Sequence, residues 1–208
     1  MNQQLLNKIN EVTYSAHNQV DHEISKLNKV CKEGCNACCH QIVEVFTWEE
    51  PRIFDFIYRN FNAKKKKELS KNIKQWFKYF NKNTKEASRD NPLNFLDISE
   101  IQHIFREKKI ACPFLMKSSC SIYEARPMIC RAHYQKDSAE NCKTDPHLTT
   151  PVDAQKIFHT ATSGFDPEVF PRATKPLAYL VAEEFSEDIK SKPLTGLIYD
   201  PNNMFNRI

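Results

Sequence analysis

Eight cysteines constrain this chain more than any other feature, because seven of them fall into two tight groups. The first is Cys31, Cys35, Cys38 and Cys39, within CKEGCNACCH. The second is Cys112, Cys120 and Cys130, within ACPFLMKSSCSIYEARPMICR, and Cys142 lies twelve residues further on. Thiolates spaced two or three residues apart in a loop can converge on one soft metal centre. The two-residue spacer in Cys35-x2-Cys38 lets both sulfurs face one ion. Cys38 and Cys39 are adjacent, so their side chains are expected to diverge and serve two neighbouring centres, or to act as one ligand and one support. Eight thiols suffice for two four-thiolate sites, or for one site with satellite cysteines. The chain reads as a metalloprotein.

Helical patterns fill the gap between Cys39 and Cys112, so a shared centre would staple two distant segments together. Leu5, Ile9, Val12, Ala16, Val20, Ile24 and Leu27 recur at helical spacing and predict a long helix over about residues 3–30. Gly34 allows a turn between Cys31 and Cys35. Ile42, Val43, Val45 and Phe46 suggest a short strand. Thr47 with Glu50 reads as a capping box ahead of a helix from Trp48 to about Asn60. The acidic pair Glu49-Glu50 reads as a solvated helix face. Another helix carries Leu69, Ile73, Trp76, Phe77 and Phe80 on one side; its opening run, Lys64 to Lys67, reads as a solvated face. Ser99 is expected to cap a short helix with Ile101, Ile104 and Phe105. A short helix enters through Arg126-Pro127, another lies near Val152–His159, and a last one covers about Lys175–Ile189.

The expected fold is therefore mostly α: a single irregular helical domain with cysteine-rich metal-binding loops and at most a short strand pair. Residues 1–30 form an N-terminal helix packed on the domain or extending from it. Residues 31–142 form the cysteine-cluster metal-binding domain, and 143–208 a C-terminal helical segment of the same domain. Three glycines in 208 residues disfavour folds built on glycine-rich phosphate loops. A hydrophobic content of 40% is enough for a core. The formal charge of +4 permits an acidic partner without demanding one. The first residues show no signal-peptide pattern, and no run approaches the ~18 apolar residues of a membrane span. The expected compartment is the reducing cytoplasm, where grouped cysteines more often bind metal than form disulfides. Four disulfides would also use an even cysteine count, but would need an export route.

CKEGCNACC, CPFL and CSIYEARPMICR together resemble the YkgJ-like cysteine-cluster family, described as zinc- or iron-chelating. The resemblance rests on Cys35, Cys38, Cys39, Cys112, Cys120, Ile122, Tyr123, Glu124, Arg126, Pro127, Cys130 and Arg131, with Cys142 as the eighth cysteine. It covers about residues 31–142. Cys31 departs from the pattern, with three residues rather than two between it and Cys35. The resemblance implies metal chelation by Cys31, Cys35, Cys38, Cys39, Cys112, Cys120, Cys130 and Cys142. A flagellin lysine methylase among the family's distant relatives leaves an enzymatic role open.

Four thiolates on a divalent ion leave a net charge near −2, which needs compensation when buried. Arg126 and Arg131 are the candidates for cofactor binding, by hydrogen bonds to sulfur; pairing of Arg126 with Glu124 or with a carbonyl is the structural alternative. His40 and His133 are candidate substitute ligands. Zinc and an iron–sulfur cluster both fit, with a narrow preference for the cluster from the all-thiolate composition. The leading function is metal handling, redox sensing or docking of a protein partner. The alternative is a protein (lysine) methyltransferase-like enzyme using S-adenosylmethionine and carrying an iron–sulfur cluster, although no G-x-G-x-x-G element is present. Cys31-x3-Cys35-x2-Cys38 has the spacing of radical S-adenosylmethionine enzymes, but without their glycine-rich context. Nucleic acid is not an expected partner, because basic–aromatic interleaving is missing around the cysteines. No membrane partner is expected, and no catalytic residue is assigned.

Overall fold

A computed structural model describes residues 3–29, 31, 33–84, 87–88, 90–136, 152–186, 189, 192, 194 and 197–198. The fold is mostly α. The helices are α1 (Gln3–Ser25), α2 (Glu50–Asn60), α3 (Ala63–Asn83), α4 (Phe95–Glu107), α5 (Met128–Ala132), α6 (Val152–Thr162) and α7 (Leu177–Phe185). The strands are β1 (Glu44–Phe46), β2 (Leu115–Met116), β3 (Ser119–Cys120), β4 (Ala173–Pro176) and β5 (Leu197–Ile198). Among the described residues, no helix is long and apolar enough to cross a membrane.

The strands form two small antiparallel sheets rather than a single pair. β4 lies between β1 and β5, with Val45 opposite Lys175 and Thr174 opposite Leu197. Lys175 and Pro176, expected in the last helix, instead end this central strand, and α7 begins at Leu177. β2 and β3 form a tight hairpin with Leu115 opposite Cys120. Its two loop residues, Lys117 and Ser118, both have positive φ, 50° and 64°. That is the backbone hand a two-residue hairpin requires, here without glycine.

Two apolar clusters organise the helices. One gathers Ile53, Ile57, Leu69, Ile73, Trp76, Phe77 and Phe80 with Phe105, Phe114 and the α7 residues. The other joins Ile9, Ala16, Val20 and Ile24 of α1 to Met128, Ala132, Tyr134 and Phe158. Helix α1 thus docks on α5 and α6. It stops at Ser25, short of the expected end. Helix α3 begins at Ala63, immediately before its lysines, where Asn62 Oδ1 accepts the Lys65 N–H at 3.0 Å. Helix α4 begins before Ser99, because Asn94 and Asp97 cap it reciprocally: Asn94 N–H bonds to Asp97 Oδ2 at 2.9 Å, and Asp97 N–H to Asn94 Oδ1 at 3.2 Å.

The most consequential departure from expectation is Glu49, which is fully buried rather than solvated. The chain passes through a 3-10 turn (Thr47–Glu49) before α2. Glu49 Oε2 then reaches back to the Phe46 N–H at 3.2 Å, taking the role expected of Glu50 one residue later. Its Oε1 accepts the Met128 N–H at 2.7 Å and lies 2.9 Å from His17 Nε2. One side chain therefore joins α1, the end of β1 and the first residue of α5. Burial lowers the His17 pKa, partly offset by its hydrogen bond to Glu49, so the imidazole is held neutral with Nε2–H as donor.

Glu49→Ala strips a partner from three buried groups, each costing ~1–3 kcal/mol when left unsatisfied. We expect a stability loss of about 3–5 kcal/mol in urea unfolding, beyond that of a surface Glu→Ala control. The pH dependence follows from His17. An unfolded chain binds a proton there near pH 6.5 and the folded one resists it, so stability is complete above that pH and falls as pH drops below it. His17→Gln, which can still donate to Glu49, is expected to flatten that part of the stability–pH curve.

Candidate metal centre

The first cysteine group sits on a bend and a short turn. Gly34 takes φ +87°, a conformation that strains any side chain. A 3-10 turn (Ala37–Cys39) follows, closed by the Cys39 N–H on the Asn36 carbonyl at 2.9 Å. The Cys39 carbonyl in turn accepts the Cys112 N–H at 2.7 Å, and Asn36 Nδ2 reaches the Ser118 carbonyl at 3.2 Å. These two bonds fasten the N-terminal loop to the β2–β3 hairpin, across more than seventy residues of chain. Cys120 ends that hairpin. Cys130 stands on α5, whose first turn is closed by Cys130 N–H on the Pro127 carbonyl at 2.9 Å.

All seven described cysteines, Cys31, Cys35, Cys38, Cys39, Cys112, Cys120 and Cys130, line one cavity of about 110 Å³. All seven are free thiols, with no disulfide among them. Cys142 lies outside the described residues. The cavity opens where the two apolar clusters meet, with Cys112 in one and Cys31 packed against the other. Among the described residues, no three His, Cys, Asp or Glu side chains are arranged to hold an ion as they stand.

The thiols form an inner and an outer set. In the inner set Cys38 opposes ionisation of Cys112, Cys120 and Cys130, Cys120 opposes that of Cys112, and both Cys112 and Cys120 oppose that of Cys130; Cys39 also lies close to Cys38, Cys112 and Cys130. Burial dominates their titration: it pushes Cys112 up to about 12, Cys130 well above the usual thiol value, and Cys120 upward. Cys38 is the exception. Cys39 donates an S–H bond to it, bringing Cys38 down to about 7 while Cys39 itself rises. The adjacent side chains therefore meet rather than diverge, because the 3-10 turn brings both into the cavity. Cys31 interacts with Cys35 and Cys38 and forms the outer set with Cys35; burial raises its pKa.

Backbone amides point at three sulfurs. Phe114 N–H bonds to Cys112 and Ile122 N–H to Cys120, in each case from two residues ahead. Gln135 N–H reaches Cys31 Sγ at 3.3 Å. Such bonds favour the thiolate and are what a soft metal's ligands need.

Arg126 and Arg131 both line the cavity, but their hydrogen bonds run elsewhere than to sulfur. Arg126 Nη2 pairs with Asp21 Oδ1 at 2.9 Å, and its guanidinium lies 3.9 Å from the Tyr123 ring centroid. Arg131 is held by Asp21, by the Glu124 carbonyl and, at 2.8 Å, by the Arg126 carbonyl. Their contribution to the thiols is charge: Arg126 favours ionisation of Cys38 and Cys120, and Arg131 that of Cys120. Asp21 was invisible in the sequence as a site residue; an acid on the polar side of a long helix carries no signal of what it will meet. His133 lines the cavity, held neutral by burial with a pKa of about 4, whereas His40 is not among the lining residues.

The donor set suits a soft metal or an iron–sulfur cluster. Seven thiols converge, and cations sit behind them. Arg126 Nε and the Tyr134 hydroxyl, from two lining residues, are buried without a hydrogen-bond partner among the described residues. Both are donors of the kind that bond to sulfur. The family model described as "CxxCxxCC: Putative zinc- or iron-chelating domain" matches residues 30–150. The chain belongs to this family. No curated protein and no solved structure matches it. The CxxCxxCC match spans both cysteine groups, the hairpin and α5, and thus every described cysteine of the cavity. Helix α1, which supplies Asp21 and His17, lies outside it.

In metal-free protein, timed alkylation at pH 8 read by mass spectrometry should follow this layering. Cys112 and Cys130, buried and with raised pKa values, are expected to label last. Their labelling as fast as Cys31 would mean the cavity is open to its floor.

Proposed function

We propose that the protein handles a metal in the cytoplasm, binding one centre through Cys38, Cys112, Cys120 and Cys130. The centre we favour is an iron–sulfur cluster. Cys39 supports Cys38, and Cys31 and Cys35, with Cys142 as a further candidate, are exchange thiols through which the centre is loaded or passed on. The observation that carries this reading is that four thiols drawn from three separate segments line one cavity, where Cys38 opposes ionisation of the other three until a cation is present. A divalent ion or cluster reverses that sign, because it binds thiolates and releases their protons. The all-thiolate donor set favours a cluster over a bare ion. Thiols beyond the four needed for one centre favour handling over a purely structural role.

Metal and acid-labile sulfide analysis, with an absorption spectrum, on protein purified without oxygen tests the centre. Iron with sulfide and absorption near ~400 nm is expected; colourless protein with stoichiometric zinc would replace the cluster with a zinc site. Cys38→Ser and Cys130→Ser are expected to lower metal content severalfold and destabilise the fold. Cys31→Ser should keep its metal and release it more slowly to a competing chelator. Full retention in both inner variants would refute the ligand assignment.

A further inference from the structure

The sequence shows a run of four lysines; the structure shows a longer feature. On α3, Lys64, Lys67, Lys71, Lys74, Lys78 and Lys82 are all exposed. Their steps are three, four, three, four and four residues. At ~100° per residue they share an arc of about 80°, directly opposite the buried face of Leu69, Ile73, Trp76, Phe77 and Phe80. At ~1.5 Å per residue the line is about 27 Å long. Lys64, Lys67, Lys71, Lys78 and Lys82 make no ion pair among the described residues.

The charge is segregated as well as aligned. Helix α3 holds eight lysines against one acid, Glu68, a net +7. The whole chain carries +4, so everything outside this helix carries −3. Like charges three and four residues apart repel and weaken their own helix. The chain therefore keeps a costly arrangement in one place while its remaining surface is mildly acidic.

We propose that this lysine line is a docking surface for an acidic α-helix of a partner protein. The spacing decides between polyanions. A straight row of charges at alternating three- and four-residue steps matches acids at the same steps on a second helix, as in charge-paired helical assemblies. A helix laid in a nucleic-acid groove uses its flanks for phosphates and a mixed central stripe for base edges, Arg or Lys on guanine with Asn or Gln on adenine; here the central stripe is lysine alone. An interfacial membrane helix inserts its apolar face into lipid, and the apolar face of α3 is spent on the core.

The test is fluorescence titration of the full chain, as purified, at ~0.15 M salt. One probe is a labelled helical peptide of about 20 residues with glutamates at alternating three and four steps on one face. A second has the same composition in scrambled order. A third is an oligothymidylate of about 30 nucleotides. The ordered peptide should bind at least about tenfold more tightly than the scrambled one. The combined K67Q/K71Q/K78Q variant should lose about that factor. Its thermal midpoint should rise, since repulsion along the helix is relieved; this separates lost docking from lost folding. Equal affinity for ordered and scrambled peptides would overturn the proposal and leave a solvated face. Tighter binding of the oligonucleotide would overturn it in favour of a nucleic-acid partner.

Discussion

The fold turns on the Glu49 side chain, which hydrogen-bonds three segments whose apolar residues share one cluster and so sets their relative orientation. It holds His17 of α1, the amide at the end of β1 and the first amide of α5. The last of these matters most for the cavity. Helix α5 has five residues, too short to be stable alone. Its leading N–H groups need acceptors, and the Glu49 oxygen supplies one from 79 positions away. Cys130, two residues on, is therefore aimed by an acid in another part of the chain. Asp21 works in parallel from α1, holding Arg126 just before the same short helix and Arg131 within it. The long first helix, outside the family's own span, is thus part of how the cysteine cavity is built.

The cavity is assembled at some electrostatic cost. Cys112, Cys120 and Cys130, each opposed by Cys38 in surroundings that raise their pKa values, favour the protonated state in the absence of a cation. The same features strengthen the dependence of the site on metal. Each ligand must lose a proton to bind, and the N–H bonds from Phe114, Ile122 and Gln135, with the nearby guanidinium charges, lower that cost. The Cys38–Cys39 pair gives such a site a natural starting point, because Cys38 is the one inner thiol with a lowered pKa.

The helices, the two cysteine groups and their convergence were legible in the sequence, because each rests on short-range periodicity or spacing. The lysine run was legible too, but only as a run; its continuation through Lys71, Lys74, Lys78 and Lys82 acquires meaning once α3 is known to be one unbroken helix with its opposite face buried. What was not legible depends on contacts between distant segments. Glu49 looked like half of an exposed acid pair because nothing local says which acid of two turns inward. Asp21 and His17 sit on a helix whose periodicity reveals its apolar stripe and nothing about its polar neighbours. Cys38 and Cys39 were expected to diverge, as neighbours on an extended chain do, but a 3-10 turn rotates successive side chains less than a strand does. β4 was hidden in a stretch of Pro and Thr whose partner, β1, is some 130 residues earlier.

Helix α3 connects the cavity to the proposed docking line. Asn72, on its flank, donates to the Pro113 carbonyl at 3.0 Å, and Pro113 follows Cys112 directly. The buried face of α3 packs in the same cluster as Cys112, Phe114 and Ile122, the residues that set and bond the inner thiols. The opposite face carries the lysines. A partner helix seated there would lie one helix diameter, ~10 Å, from the wall that holds Cys112, and on the far side of that wall from the thiols. Docking in that position would hold a partner close to the centre while leaving the cavity wall intact. Any transfer of metal would then pass through the outer thiols, Cys31 and Cys35, rather than through α3, which makes docking and exchange separable properties of one small fold.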